Sequence, residues 1–326
     1  MMTTRMRRRQ PSNVRWKATA RKSRLNRTLS WVSVFCLAVT LHHRVMARIS
    51  EVTEEPAGQI GGIPVSVWTY PSDGLKVKGL LFLPRARDRL PLILFNHDGI
   101  SGISEEHMRA SARLARAGYA VFAPSYRGED GSEGTVEVAA GEVRDVLNAV
   151  PPLARVPGID ARKVAIVGVS HGALISVLAA AQEPEVDAVV AADGVMEIYG
   201  WWQHLGQTGK LGRDPLTRRV YGHGPEDKPQ AFSTRQALAQ IPKLKAPILI
   251  LKGGRDDIVP VEQAITFKAH LDRAQHRATL KIYPHCRHAF LVYGPYQTHG
   301  VTLAERLENE QAWHDLLDFL RKHLNP

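Results

Sequence analysis

From Ile60 onward, short apolar runs alternate with stretches whose apolar residues recur every three or four positions. The runs at 65–70, 77–83, 92–95 (LILF), 120–123, 164–167, 188–192, 248–251 and 279–283 predict strands. Helical spacing predicts helices over 105–116, roughly 136–153, 171–181 and, closing the chain, 303–324. Apolar strands separated by helices of this length imply an α/β fold, a mostly parallel sheet covered on both faces. The first two strands are joined by Pro71-Ser72-Asp73-Gly74, so the leading edge of that sheet is expected to be antiparallel. One segment breaks the rhythm. Residues at about 196–233 carry Trp201-Trp202, several glycines and mixed charges. A structureless connection of that length is unusual in a compact domain, so an insertion serving as a lid or binding loop is expected.

Composition changes little in this picture: 44% hydrophobic and 23% charged residues exclude whole-chain disorder and collagen. Charge changes it more. The net charge of +11 suggests nucleic acid, but residues 1–47 hold eleven Lys and Arg and no Asp or Glu, leaving 32 basic and 32 acidic residues in 48–326. The excess belongs to the leader, and the rest offers no nucleic-acid footprint. Within the leader, a basic stretch up to Arg27 precedes thirteen mostly apolar residues at 29–41 and then Val45-Met46-Ala47. This predicts an export signal cut after Ala47, ahead of a single catalytic domain at 48–326. Thirteen residues fall short of the ~20 that span a bilayer as a helix. An uncleaved amphipathic anchor, with membrane contact, is the alternative, and a start at Met46 would leave a cytoplasmic protein. Removal of the leader takes Cys36 with it and leaves Cys286 alone, so no disulfide is expected within the mature chain.

The strongest chemical signal is Gly168-Val169-Ser170-His171-Gly172, which follows the apolar run 164–167 and precedes an Ala-rich helix. In that strand–turn–helix setting G-x-S-x-G presents a nucleophilic serine on a tight turn. A serine hydroxyl needs a base, and the base an orienting acid. Downstream, the run at 248–251 leads into Lys252-Gly253-Gly254-Arg255-Asp256-Asp257-Ile258-Val259-Pro260, and the next run leads through His285-Cys286-Arg287 to His288-Ala289-Phe290. Carboxylate and imidazole therefore follow strand ends, where open α/β sheets place ligands. Asp193, at the end of another strand, is a fallback acid. The pair His285 and His288 lacks a second pair of ligands at a useful spacing, so no metal is expected. No G-x-G-x-x-G or P-loop pattern occurs, and no cofactor is implied.

These motifs, with Tyr126-Arg127-Gly128 and Pro157-Gly158-Ile159-Asp160, make residues 90–292 resemble the α/β-hydrolase domain of the prolyl oligopeptidase and dienelactone hydrolase branch. The resemblance implies a Ser170, Asp256, His288 triad, with Asp256 rather than Asp257 as acid and His288 rather than His285 as base. It also implies an oxyanion hole from the backbone N–H groups of His171 and Gly99. Three departures stand out. The stretch before Leu90 is too short for the propeller of the oligopeptidases, Ser170 stands where dienelactone hydrolases have cysteine, and His97-Asp98-Gly99 replaces His-Gly-Gly. Asp98 is read as a turn residue bonding its own backbone. Trp201 and Trp202 either line an acyl pocket or pin the insertion to the body. Arg127 is either a peptidase feature or a structural ion-pair partner. The expected activity is hydrolysis of a small-molecule ester through an acyl-enzyme. A single-domain peptidase acting on short peptides and a non-catalytic binding module are the alternatives.

Overall fold

The structure is a computed structural model and describes residues 52–211, 215–296 and 300–324. The leader expectation at 1–47 lies outside them. Among the described residues, nine strands form one sheet: β1 (Thr53–Ile60), β2 (Ile63–Ser72), β3 (Leu75–Phe82), β4 (Leu90–Asn96), β5 (Ala120–Pro124), β6 (Ile159–Val169), β7 (Ala188–Ala192), β8 (Ile248–Gly253) and β9 (Ala278–Tyr283). Their order is β1-β2-β3-β5-β4-β6-β7-β8-β9. The pairs from β5 to β9 are parallel, whereas β1–β2, β2–β3 and β3–β5 are antiparallel.

The two faces follow from the period of two in the strands. Leu92 and Leu94 of β4 point into one buried cluster, and Ile93 and Phe95 into the other. The first cluster is closed by α2 (Gly141–Asn148), α4 (His171–Ala180) and α8 (Val261–Arg273), through Val143, Ile175 and Phe267. The second is closed by α1 (Glu105–Arg116) and α10 (Leu303–Leu324), through Leu114, Trp313 and Leu320. This is the doubly covered, mostly parallel sheet of the α/β-hydrolase fold, with an antiparallel leading edge.

Two local expectations change. The hairpin joining β2 and β3 turns at Asp73-Gly74 alone, since Ser72 still pairs with Leu75. Both turn residues have positive φ, 49° and 84°, matching the right-handed twist of the flanking strands. The expected helix at 136–153 begins only at Gly141 and breaks into α2 and α3 (Val150–Leu153). The cause is Glu142, whose buried carboxylate accepts the N–H groups of Glu137, Val138 and Ala140 and so holds the preceding residues in a loop. Val138 and Ala139 are left-handed there, and Pro151-Pro152 lack the N–H a continuing helix needs. Among its described residues, the segment at 196–233 contains three short helices, α5 (Ile198–Gln207), α6 (Pro215–Tyr221) and α7 (Pro229–Thr234). They share a small core of Ile198, Tyr221 and Phe232. A final short helix, α9 (Phe290–Tyr293), precedes α10.

Candidate active site

Ser170 sits between the end of β6 and the first residue of α4, with φ 52° and ψ −114°. A non-glycine residue there carries strain of order 1–3 kcal/mol, which the surroundings must over-determine. They do so by close approach. A Cβ on Gly168 would stand 2.1 Å from the Gly172 carbonyl oxygen, and one on Gly172 would stand 2.1 Å from the carbonyl oxygen of Asn96. The motif glycines thus allow strand, helix and the loop after β4 to meet at one point. The Ser170 N–H donates to the Ala192 carbonyl oxygen at 2.8 Å.

The loops after β8 and β9 bring their side chains to the same edge. The Ser170 hydroxyl lies 2.9 Å from His288 Nε2, and His288 Nδ1 lies 2.8 Å from Asp256 Oδ2. With Nδ1 donating to the carboxylate, Nε2 carries the lone pair that faces the hydroxyl. Asp256 Oδ1 accepts the N–H groups of Ile258 and Val259, each at 2.9 Å. Burial alone would raise the Asp256 pKa; the hydrogen bond and charge of His288 and the Lys252 ammonium outweigh it and bring the value down to about 2. The carboxylate is therefore ionised throughout the neutral range. Asp257 is exposed, and His285 is turned to α10, bonding Glu308 through Nδ1 at 2.5 Å and its N–H at 2.7 Å.

Asp193, the fallback acid, is buried but does not bond His288. Its Oδ1 accepts the Gly253 N–H at 2.9 Å and the Lys252 ammonium at 3.1 Å, and its Oδ2 accepts the Ala289 N–H at 2.9 Å. Burial pushes its pKa up. Among the described residues, Asp193, Asp256 and His288 are the group whose ligand atoms approach within 4.8 Å of one another, as a metal site requires. Lys252, hydrogen-bonded to both carboxylates, already supplies the cation there.

His171, as the first residue of α4, has an N–H with no carbonyl of a preceding turn to bond. Its ring Nδ1 bonds the Gly99 carbonyl oxygen at 2.8 Å, tying the loop after β4 to the elbow. Gly99 takes φ +70°. The expectation for Asp98 fails. Its carboxylate accepts from His107 Nε2 on α1 at 2.5 Å and from the Tyr293 hydroxyl at 3.2 Å, not from its own backbone. His107 Nδ1 accepts the Ser104 N–H at 2.9 Å, which fixes the proton on Nε2. The negative charge is thus bound between α1 and α9. Arg127 is a structural ion-pair partner: its buried guanidinium grips Asp145 through Nε at 3.0 Å and Nη2 at 2.9 Å.

Beside Ser170 opens a cavity of about 230 Å³, whose wall includes Gly99, His171, Leu174, Ile198, Trp201 and Ile258. Trp202 instead lines an adjoining cavity and packs edge-on against Phe232 at 5.3 Å between ring centres. Trp201 walls both cavities, and the ring partners of Trp202, Tyr221 and Phe232, belong to the insertion itself, so Trp202 packs within it. Sequence reasoning missed Lys252, His107 and Tyr293. Only Lys252 had a signal, as the inward-alternating residue next after Ile250 in an otherwise apolar strand.

Known proteins supply the rest. The uncharacterized peptidase YtmA of Bacillus subtilis is 27% identical over 203 residues, covering 62% of this chain and 77% of that protein. A Salmonella typhimurium protein named as a carboxymethylenebutenolidase is also 27% identical, over 71% of this chain and 79% of its own. Among solved structures, the acylaminoacyl peptidase of Pyrococcus horikoshii superposes with a TM-score of 0.66 at 18% identity. That match covers 83% of this chain but 42% of the peptidase, so it speaks for the fold alone. Residues 77–324 match the dienelactone hydrolase family, and the chain belongs to it.

Proposed function

We propose that this hydrolase cleaves carboxylic esters through an acyl-enzyme formed on Ser170. The observation that carries the reading is the unbroken hydrogen-bond relay from the Ser170 hydroxyl through His288 to Asp256, opening on an apolar cavity. His288 Nε2 takes the hydroxyl proton as Ser170 Oγ attacks the carbonyl carbon. The oxyanion is received by the N–H groups of His171 and Gly99, and the elbow's helix N-terminus favours that charge. His288 then protonates the departing alkoxide, and water deacylates the enzyme by the same route. Asp256 holds the imidazole in the required tautomer and stabilises the imidazolium.

The cavity argues for a small, uncharged acyl or aromatic group. Its walls are mostly apolar, and no lysine or arginine is among the described residues that line it. A relative named as a peptidase supports the alternative, hydrolysis of short peptides. An amide is a poorer electrophile with a worse leaving group, so its cleavage demands closer positioning against the general acid. Comparing kcat/KM for short-chain and aromatic p-nitrophenyl esters with that for aminoacyl and prolyl p-nitroanilides tests the reading. Faster ester cleavage is expected; equal or faster anilide cleavage moves the assignment to peptidase. A non-catalytic binding module has no need of all three relay residues.

A further inference from the structure

We infer that Lys252 and Asp193 are a buried positioning pair for the relay, Lys252 setting the Asp256 carboxylate against His288 and Asp193 fixing the backbone on either side of it. The inference rests on the proposed roles of Ser170, His288 and Asp256.

The Lys252 and Asp193 side chains are buried to 1% and 0% exposure, and Asp256 to 1%. A lysine so buried is tolerated only when paired and hydrogen-bonded, and here it has a carboxylate on either side. Its ammonium bonds Asp256 Oδ2, the same oxygen that accepts from His288 Nδ1. Lys252 therefore competes with the imidazole for one oxygen. It fixes that carboxylate's orientation and weakens its hold on an imidazolium. Asp193 acts through the backbone. The N–H groups it accepts belong to Gly253, which opens the acid loop, and to Ala289, the residue after His288. Ala289 is left-handed, at φ 53° and ψ 32°, an unfavourable conformation for alanine that this bond helps hold. One carboxylate at the end of β7 thus ties together the two loops that must stay in register.

Among the described residues, the charged and titratable groups facing this cluster are Asp193 from β7, Lys252 and Asp256 from β8 and its loop, and His288 and Cys286 from the loop after β9, with Glu305 and Glu308 of α10 acting on Cys286. Burial pushes the Cys286 thiol up, so it stays neutral. The two members of the pair consequently move the base in opposite directions. Lys252 disfavours a positive charge on the ring, so its loss should move the acid limb of kcat/KM up. Asp193 favours that charge, so its loss should move the limb down.

The test is the acid limb of kcat/KM for a p-nitrophenyl ester in Lys252→Met, Asp193→Asn and Lys252→Arg. The position of the limb does not depend on how much of each preparation is folded. Lys252→Met should move the limb up by about one pH unit, the scale of one nearby buried charge, and Asp193→Asn should move it down. Lys252→Arg, which keeps the charge, should hold it near the wild-type position. Limbs that stay in place in both charge-removing variants, or that move the same way, overturn the inference. Activity that survives Ser170→Ala would instead overturn the reading on which it rests.

Discussion

Replacing Arg127 by Met separates a structural role from a substrate-binding one. The Arg127 side chain is 8% exposed and that of Asp145 0%. Asp145 accepts from Arg127 Nε, Nη2 and backbone N–H, and from the Ser72 hydroxyl at 2.6 Å. The substitution removes the guanidinium and leaves the carboxylate sealed between β2 and α2 with two neutral donors. Breaking a buried pair in this way costs about 3–5 kcal/mol. The other partners, Glu137 and Asp73, are 44% and 35% exposed and add little. For a domain of this size the loss corresponds to a melting temperature lower by about 6–20 °C. Thermal melts followed by circular dichroism read it directly, with KM for p-nitrophenyl acetate measured well below the transition. A large fall in Tm with KM unchanged is expected. An unchanged Tm with a raised KM would instead make Arg127 a substrate ligand.

Asp256→Asn should lower kcat on the order of 10⁴-fold through loss of the correct imidazole tautomer, whereas Asp257→Asn should leave it near wild type. A crippled Asp257→Asn enzyme would shift the acid by one residue. Gly172→Ala should destabilise the protein by about 1–3 kcal/mol or more, because its Cβ would meet the backbone of Asn96 and His97 rather than a movable side chain. A wild-type melt and wild-type turnover would contradict that close approach. N-terminal sequencing of exported protein should begin near Arg48, and an intact Met1 or Met2 terminus on a cytoplasmic protein would contradict an export signal.

Legibility in the sequence tracked burial. Strands sealed on both faces, such as β5, β7 and β8, read directly as apolar runs because every residue in them is buried. β1 escaped notice because nearly all of its residues are exposed and none alternates. The 136–153 helix was overdrawn because its limit is set by a carboxylate acting backwards on three backbone N–H groups, which apolar spacing does not encode. The candidate relay was readable because each member follows a strand end in fixed chain order. What surrounds it was not. Asp98 is held by Tyr293, 195 residues away, and the position of Lys252 in an apolar strand signals burial but not its pairing with Asp193, 59 residues away.

Ser170 is proposed as the nucleophile of an acyl-enzyme hydrolase. Reaction with a fluorophosphonate probe, followed by peptide mapping in wild type and Ser170→Ala, tests it most directly. A single labelled peptide bearing the probe on Ser170 is expected, with no label in the variant and a loss of ester turnover of up to ~10⁶-fold in kcat. Label on another residue, or turnover that persists in Ser170→Ala, would contradict it.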